Sequence, residues 1–160
     1  DGSVLMNTLM CGMYRISEID SNEPDIELML NYPELFGCSV PTIIGHFLVL
    51  PVMFSETILV FDISNPTEIK EVSRFDTPGY QPHWAAADPA GARIVVTSSG
   101  TAPTYTVLMF DFDAVNGRLT LDESFGSSEF PQAGVSFYRD SWPHGEAGTA
   151  VPHAAVFGYR

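Results

Sequence analysis

The hydrophobic and polar positions of this chain repeat as short strands separated by turns. In the clearest stretch, residues 58–63 read ILVFDI, an apolar run rich in β-branched and aromatic residues, and Ser64-Asn65-Pro66 then interrupts it. Proline cannot donate to a strand ladder, and Asn and Ser favour turns. Residues 68–74 alternate charged and apolar side chains, which is typical of an exposed edge strand. The stretch therefore predicts a strand, a turn and a second strand.

The same pattern occurs again on both sides of this stretch. Upstream, a strand-like run crosses a Ser-Asn-Glu-Pro turn into a second run, and downstream a similar pair is joined by Asn116-Gly117. Tyr14, Phe61 and Phe110 take equivalent positions in the three copies, spaced 47 and 49 residues apart. A repeat of about 40 to 50 residues is typical of β-propellers, which have about four strands in each blade.

We therefore predict an all-β chain, a single partial β-propeller domain over 1–160 built from four-stranded antiparallel sheets. The domain contains about two and a half to three blades, namely a partial blade 1–36 and the blades 37–79 and 80–126. A loop, 127–149, follows them. An innermost strand, 150–158, then begins a further blade. Closed propellers need at least about four blades, so we expect the rest of the propeller chain as a partner. The only helical candidate, 24–36, contains a proline and conflicts with the repeat.

Composition excludes several classes of partner. The formal net charge is −13 with His neutral, and nucleic-acid binding normally rests on a basic surface. We interpret the charge as a well-solvated acidic surface, with binding of cations or basic partners as the alternative. No apolar run approaches the length of a membrane span. Because the chain shows neither an initiator Met nor a signal-peptide pattern, the compartment stays open.

The two cysteines, Cys11 and Cys38, are too few for a disulfide framework. Each lies near the start of a predicted strand. Because free cysteine is among the most buried residue types, we expect buried free thiols here rather than a bridge.

Four histidines are the candidates for metal ligation or acid–base chemistry. His83 and His153 each follow a proline at the start of a predicted innermost strand, and His144 lies in the loop that can fold over the same mouth. We predict that these three histidines converge on a metal, because imidazole suits Cu, Zn, Fe or Ni. A general base, or loop histidines with ordinary hydrogen bonds, are the alternatives. His46, at a hairpin turn, is expected at the surface.

The carboxylates are less specific than the histidines. Asp62 and Asp111 follow the repeated aromatic residue and are expected to accept backbone hydrogen bonds at turns. Asp140 and Glu146 flank His144 and can orient its imidazole, as carboxylates behind a metal-bound histidine do. The chain contains no nucleophile elbow, Walker loop, dinucleotide-binding fingerprint or C-x-x-C pair.

Several segments together resemble the selenium-binding protein / methanethiol oxidase family over roughly residues 45–157. They are FDISNP followed by EVSR, PHW followed by DPAGARIVVT, the unit LMFDFDAVNGRLTLDESF, and the closing VPHAAVF. The resemblance implies a seven-bladed propeller that catalyses copper-dependent oxidation of methanethiol to formaldehyde, hydrogen sulfide and hydrogen peroxide. A small-molecule substrate, in this case a thiol, is the partner that it implies.

The resemblance places His153 on the family's C-terminal histidine, whereas His83 and His144 are candidates from the sequence pattern. The family's selenium-associated cysteine has no counterpart here. Two other functions remain open at this stage. One is a non-catalytic propeller that binds or scaffolds a protein through its acidic rim. The other is a lactonase-like hydrolase, which would need carboxylates and Asn around a divalent cation.

Overall fold

The computed structural model describes residues 2–99, 105–126 and 133–158. Within these residues the chain is all-β and contains no helix, so the predicted fold class is confirmed. The strands, in chain order, are β1 (Val4–Asn7), β2 (Gly12–Ser17), β3 (Asp25–Asn31), β4 (Thr42–Ile44), β5 (Phe47–Val52), β6 (Thr57–Asp62), β7 (Lys70–Asp76), β8 (Pro82–Ala87), β9 (Arg93–Ser98), β10 (Thr106–Asp113), β11 (Arg118–Leu121), β12 (Val135–Ser136), β13 (Ser141–Trp142) and β14 (Gly145–Glu146).

The strands form successive antiparallel sheets, consistent with partial propeller-like blades. The first sheet has the order β1-β2-β3, the second β4-β5-β6-β7, and the third β8-β9-β10-β11, with β12 paired to the beginning of β10. Strands next to each other in these three sheets follow each other in sequence, so each sheet is a meander. The short pair β13-β14 is separate.

The repeated aromatic residue marks the side of each sheet that faces the preceding sheet. Phe61 on β6 is fully buried in the apolar cluster between the first and second sheets. Phe110 on β10 is fully buried in the cluster between the second and third sheets, where its ring lies 5.1 Å from that of Phe75. Since β5 is buried at every position, the second sheet is covered on both faces, as stacked sheets require.

A polar bridge joins the first sheet to the edge of the second. Glu71 on β7 accepts two hydrogen bonds from the guanidinium of Arg74, at 3.0 and 3.1 Å, and bonds the hydroxyl of Tyr32. Burial, and next the hydrogen bond to Glu71, raise the pKa of Tyr32 to about 12. The phenol is therefore neutral at physiological pH and can donate to the carboxylate across the sheets.

The cysteines form a disulfide, so the expectation of free thiols was wrong. Cys11 and Cys38 are both buried and their Cα atoms lie 5.1 Å apart. The backbone brings them together, because the carbonyl of Leu9 accepts the N–H groups of Gly37 (2.9 Å) and Cys38 (3.3 Å). The bridge therefore ties the turn between β1 and β2 to the segment that leads into the second sheet.

The C-terminal part departs from the regular meander. Of the predicted loop 127–149, residues 127–132 lie outside the described residues, as do residues 100–104. Residues 133–146 form the short strands β12 to β14, which the sequence did not predict. Residues 147–158 form no strand, so the role of 150–158 as the innermost strand of a further blade stays a prediction. Nowhere in the described parts of the chain does a helical segment have the length and hydropathy that a bilayer crossing requires.

Candidate functional site

His83 lies on an irregularity at the beginning of β8. In the pairing of β8 with β9, Pro82 is opposite Ser98 and Trp84 is opposite Thr97, so His83 is an extra residue with no partner of its own. Such a bulge turns the affected side chain away from the regular ladder. The same stretch also contacts the second sheet, because the carbonyl of His83 accepts the N–H of Val40 at 3.0 Å. The backbone of His83 is thus held by the segment before β4 and not by β9.

His153 reaches the same place from the C-terminal run, which we define as residues 150–158. The Thr97 hydroxyl, on β9, donates to the carbonyl of His153 at 3.0 Å. Two residues further on, Ala155 packs against the buried cluster on the outer face of the third sheet, as does Phe157. These contacts hold the C-terminal run along the third sheet, and His153 itself is exposed.

The two imidazoles are in direct contact. The ring centroids of His83 and His153 are 4.7 Å apart, with 55° between the ring planes. The Nδ1 atom of His83 is buried and has no hydrogen-bond partner among the described residues, which is rare for a buried polar atom. Burial first, and the nearby His153 second, lower the pKa of His83, although a hydrogen bond with the His153 backbone opposes the shift. His83 is therefore held in its neutral form, which is the form that binds metals.

His144 and His46 do not join this pair. His144 lies in the turn between β13 and β14, with its ring 6.2 Å from that of Trp142. His46 is exposed in the β4–β5 turn and lies against Phe47, with 4.1 Å between ring centroids. The structure thus brings together two of the three predicted site histidines.

The carboxylates that the sequence singled out lie away from the pair. Asp62 accepts the N–H of Ser64 at 2.8 Å, a turn contact. Asp111 is exposed on β10. Near His144, the backbone carbonyl of Asp140 accepts the N–H of Gly148 at 3.3 Å, and Glu146 is exposed on β14. No contact in the described residues links either of these two carboxylates to an imidazole.

The pair fits part of a metal site rather than a whole one. Two adjacent imidazoles, one with an unpartnered buried nitrogen, are suitable ligands for a transition metal. Within residues 2–99, 105–126 and 133–158, however, no group of three or more His, Cys, Asp or Glu side chains is arranged to hold a metal ion. The described residues therefore supply two candidate ligands, His83 and His153.

Two features of the site were missed from the sequence. The bulge at His83 depends on how β8 pairs with β9, and the contact from Thr97 depends on where the C-terminal run lies. The Pro-His repeat at 82–83 and 152–153 was the available signal, and it indicated the two histidines whose rings are in contact.

Comparisons with known proteins support the fold and little beyond it. No family model matches the chain, and no curated protein matches it. A solved structure, titled as that of a hypothetical selenium-binding protein from Sulfolobus tokodaii, is similar with a TM-score of 0.53 at 14% identity. The match covers 71% of this chain and 34% of that one, so this chain corresponds to about a third of the neighbour.

Proposed function

We propose that this chain is part of a metal-dependent oxidoreductase of the selenium-binding protein type, with copper held by His83 and His153 and a small thiol as its substrate. His144 is not part of this ligand set, because its ring lies against Trp142 instead. The proposal combines the resemblance in sequence with the contact that the fold makes between His83 and His153.

The observation that carries the proposal is the unpartnered Nδ1 atom of His83. A buried nitrogen without a hydrogen-bond partner costs about 1–3 kcal/mol, and a ligand that fills its lone pair would remove that cost. The second imidazole lies 4.7 Å away between ring centroids, close enough for both rings to share one ion. Because the pKa of His83 is lowered, a proton competes less with a metal for this nitrogen.

The residues around the pair fix its position before any ligand binds. The bond from Val40 holds the carbonyl of His83, and Thr97 holds the carbonyl of His153. A bound copper ion would supply one-electron redox chemistry and a soft site for a thiolate sulfur. In the proposed reaction methanethiol and water yield formaldehyde and hydrogen sulfide, while dioxygen is reduced to hydrogen peroxide.

The solved neighbour gives limited support for this function. It is named as a hypothetical selenium-binding protein, which agrees with the family that the sequence resembles. At 14% identity the likeness concerns the fold, and the activity of the whole protein is our proposal.

The direct test is turnover by the copper-loaded protein. We expect hydrogen peroxide and hydrogen sulfide to form from methanethiol, and His83→Gln and His153→Gln each to lower the rate at least about 100-fold, as loss of an essential group does. His46→Gln is the matched control, because it removes an exposed imidazole outside the site, and it should retain the wild-type rate.

The opposite result would favour a different class of protein. If the copper-loaded chain binds metal but does not turn over thiols, the oxidase proposal fails. If it binds no transition metal at all, the non-catalytic binding propeller becomes the better account of the fold.

A further inference from the structure

Thr97 is a fully buried residue on a central strand of the third sheet. It lies on β9, and its backbone is paired with Trp84 of β8 on one side and with Val107 of β10 on the other. A hydroxyl that is buried in this way needs a hydrogen-bond partner, because an unpaired one is unfavourable. The partner of the Thr97 hydroxyl is the carbonyl of His153, at 3.0 Å.

Thr97 therefore contacts both segments that carry a site histidine. Trp84, which is opposite Thr97, directly follows the bulged residue His83. The Thr97 side chain binds the backbone of His153, whose ring centroid lies 4.7 Å from that of His83. One residue of a regular strand thus links the bulge on β8 to the C-terminal run.

The repeated fold itself does not require a hydroxyl at this position. Thr97 is opposite Val107, which lies three residues before the repeated aromatic residue of the third sheet. In the second sheet the corresponding residue, Ile58, is opposite Pro51. Pro51 is fully buried and its side chain has no donor. The hydroxyl of Thr97 therefore serves a contact that is specific to the third sheet, which is the bond to His153.

The backbone of His153 is the point at which the contacts of the site meet. It is bound by the Thr97 hydroxyl and by the imidazole of His83. The remaining contacts of the C-terminal run lie further along the chain, where Ala155 and Phe157 pack on the third sheet. Because 147–158 form no strand, the position of the His153 backbone depends on these few contacts.

The bond from His83 determines which of its ring nitrogens can bind a ligand. Nδ1 of His83 is buried and has no partner among the described residues, so the bond to the His153 backbone is made by the other ring nitrogen. A carbonyl accepts from an N–H, and a neutral imidazole has one N–H. The proton of His83 is therefore on Nε2, and Nδ1 has a lone pair. Histidines that bind metals are commonly oriented by such a bond from the second nitrogen.

We propose that Thr97 is a positioning residue for the histidine pair, because its hydroxyl fixes the carbonyl that orients the His83 ring and keeps the His153 ring beside it. The importance of this role for activity rests on the proposed function, whereas the role itself rests on the contacts of Thr97. Loss of a partner behind a metal-binding histidine typically lowers metal affinity about 10- to 100-fold.

The test is Thr97→Val, which removes the hydroxyl and keeps the shape of the buried side chain. Valine is a good strand former, so the variant should stay folded. In the metal-free chain, nuclear magnetic resonance should detect contacts between the rings of His83 and His153 in the wild type and not in the variant. Titration with copper(II) alone should give an affinity at least about tenfold lower in the variant. Thr97→Ser, which restores the hydroxyl, should recover most of both losses.

Thr57→Val is the matched control. Thr57 is 2% exposed on β6 of the second sheet, and its hydroxyl also donates to a backbone carbonyl, that of Phe75 at 3.2 Å. This variant loses the same kind of bond away from the pair, so it should keep the ring contact and the wild-type copper affinity. Equal losses in Thr57→Val and Thr97→Val would overturn the proposal.

Two further results separate this proposal from the proposed function. If Thr97→Val keeps both the ring contact and the copper affinity of the wild type, the positioning role fails while the oxidase proposal stands. If the wild type binds no copper but Thr97→Val still separates the rings, the positioning role is supported while the oxidase proposal fails.

A measurement on the wild type alone is independent of the folding of any variant. The nitrogen chemical shifts of His83 in the metal-free chain should show the proton on Nε2, whereas a proton on Nδ1 would overturn the proposal.

Discussion

The first and second sheets carry the same strand pattern but are buried to different extents. Phe61 on β6 is fully buried, whereas Tyr14, its counterpart on β2, is half-buried. The second sheet has a neighbour on each side, and the first sheet has one neighbour in the described part of the chain. The hydrophobic pattern therefore predicts which faces can be buried, and the number of neighbouring sheets determines which of these faces are buried.

This difference also separates two sources of stability. The second sheet depends on apolar packing, since β5 is buried throughout and β6 at all positions but its last. The first sheet is attached by one packed face together with specific links, namely the Cys11–Cys38 disulfide and the bond between Tyr32 and Glu71. We expect substitutions in the two sheets to differ accordingly.

The largest expected difference is between Phe61→Ala and Leu28→Ala. Truncating the buried ring leaves a cavity between two sheets and should lower the free energy of unfolding by about 3–5 kcal/mol. Truncating the half-exposed Leu28 should cost less than about 1 kcal/mol in dilute protein. Urea unfolding followed by circular dichroism measures both changes, and equal losses would show that the first sheet is buried to the same extent as the second.

The next effect is removal of the disulfide with the pair Cys11→Ala and Cys38→Ala. Their separation of 27 residues predicts a loss of about 3–4 kcal/mol in the chain-entropy account. Hydrogen exchange should show where the loss appears, because β1 to β3 should exchange faster while β5 and β6 stay protected. A uniform increase across both sheets would contradict the role of the bridge as a link for the first sheet.

The smallest effect is expected from Tyr32→Phe, which removes the hydroxyl that reaches Glu71. The loss at pH 7 should be about 1 kcal/mol. Because the pKa of Tyr32 is raised to about 12 in the folded chain, above the usual value of about 10, its contribution is fully present below about pH 10 and is lost as the pH rises towards 12. Wild-type stability should therefore fall more steeply over that range than the stability of the variant. A slope between pH 10 and 12 that is the same in Tyr32→Phe as in the wild type would show that the phenol beside Glu71 is not the group that titrates.

Much of the fold could be predicted because it follows from local pattern. The apolar run at 58–63 and the repeated aromatic residue placed β6 and its counterparts β2 and β10 correctly. Pairings that depend on three-dimensional approach could not be predicted. The disulfide forms because the carbonyl of Leu9 binds the segment before the second sheet, and nothing in the spacing of two cysteines encodes that contact.

The contact between two of the site candidates could be anticipated from the sequence. The repeated Pro-His pair singled out His83 and His153, and their rings lie 4.7 Å apart, although His153 belongs to a run that forms no strand. Their role as a functional site stays a prediction. His144 was placed by its distance along the chain alone, and the local hairpin β13-β14 keeps its ring against Trp142 instead. The place of His144 along an irregular segment did not indicate where its side chain would lie.

The measurement that tests the central claim most directly is the copper content of the protein after reconstitution and exhaustive dialysis, by mass spectrometry of the elements. The account predicts about one copper for each chain in the wild type and in His46→Gln, and almost none in His83→Gln and His153→Gln, all four remaining folded by circular dichroism. Copper that is retained by both site variants, or absent from the folded wild-type protein, would contradict the assignment of the histidine pair as the functional site.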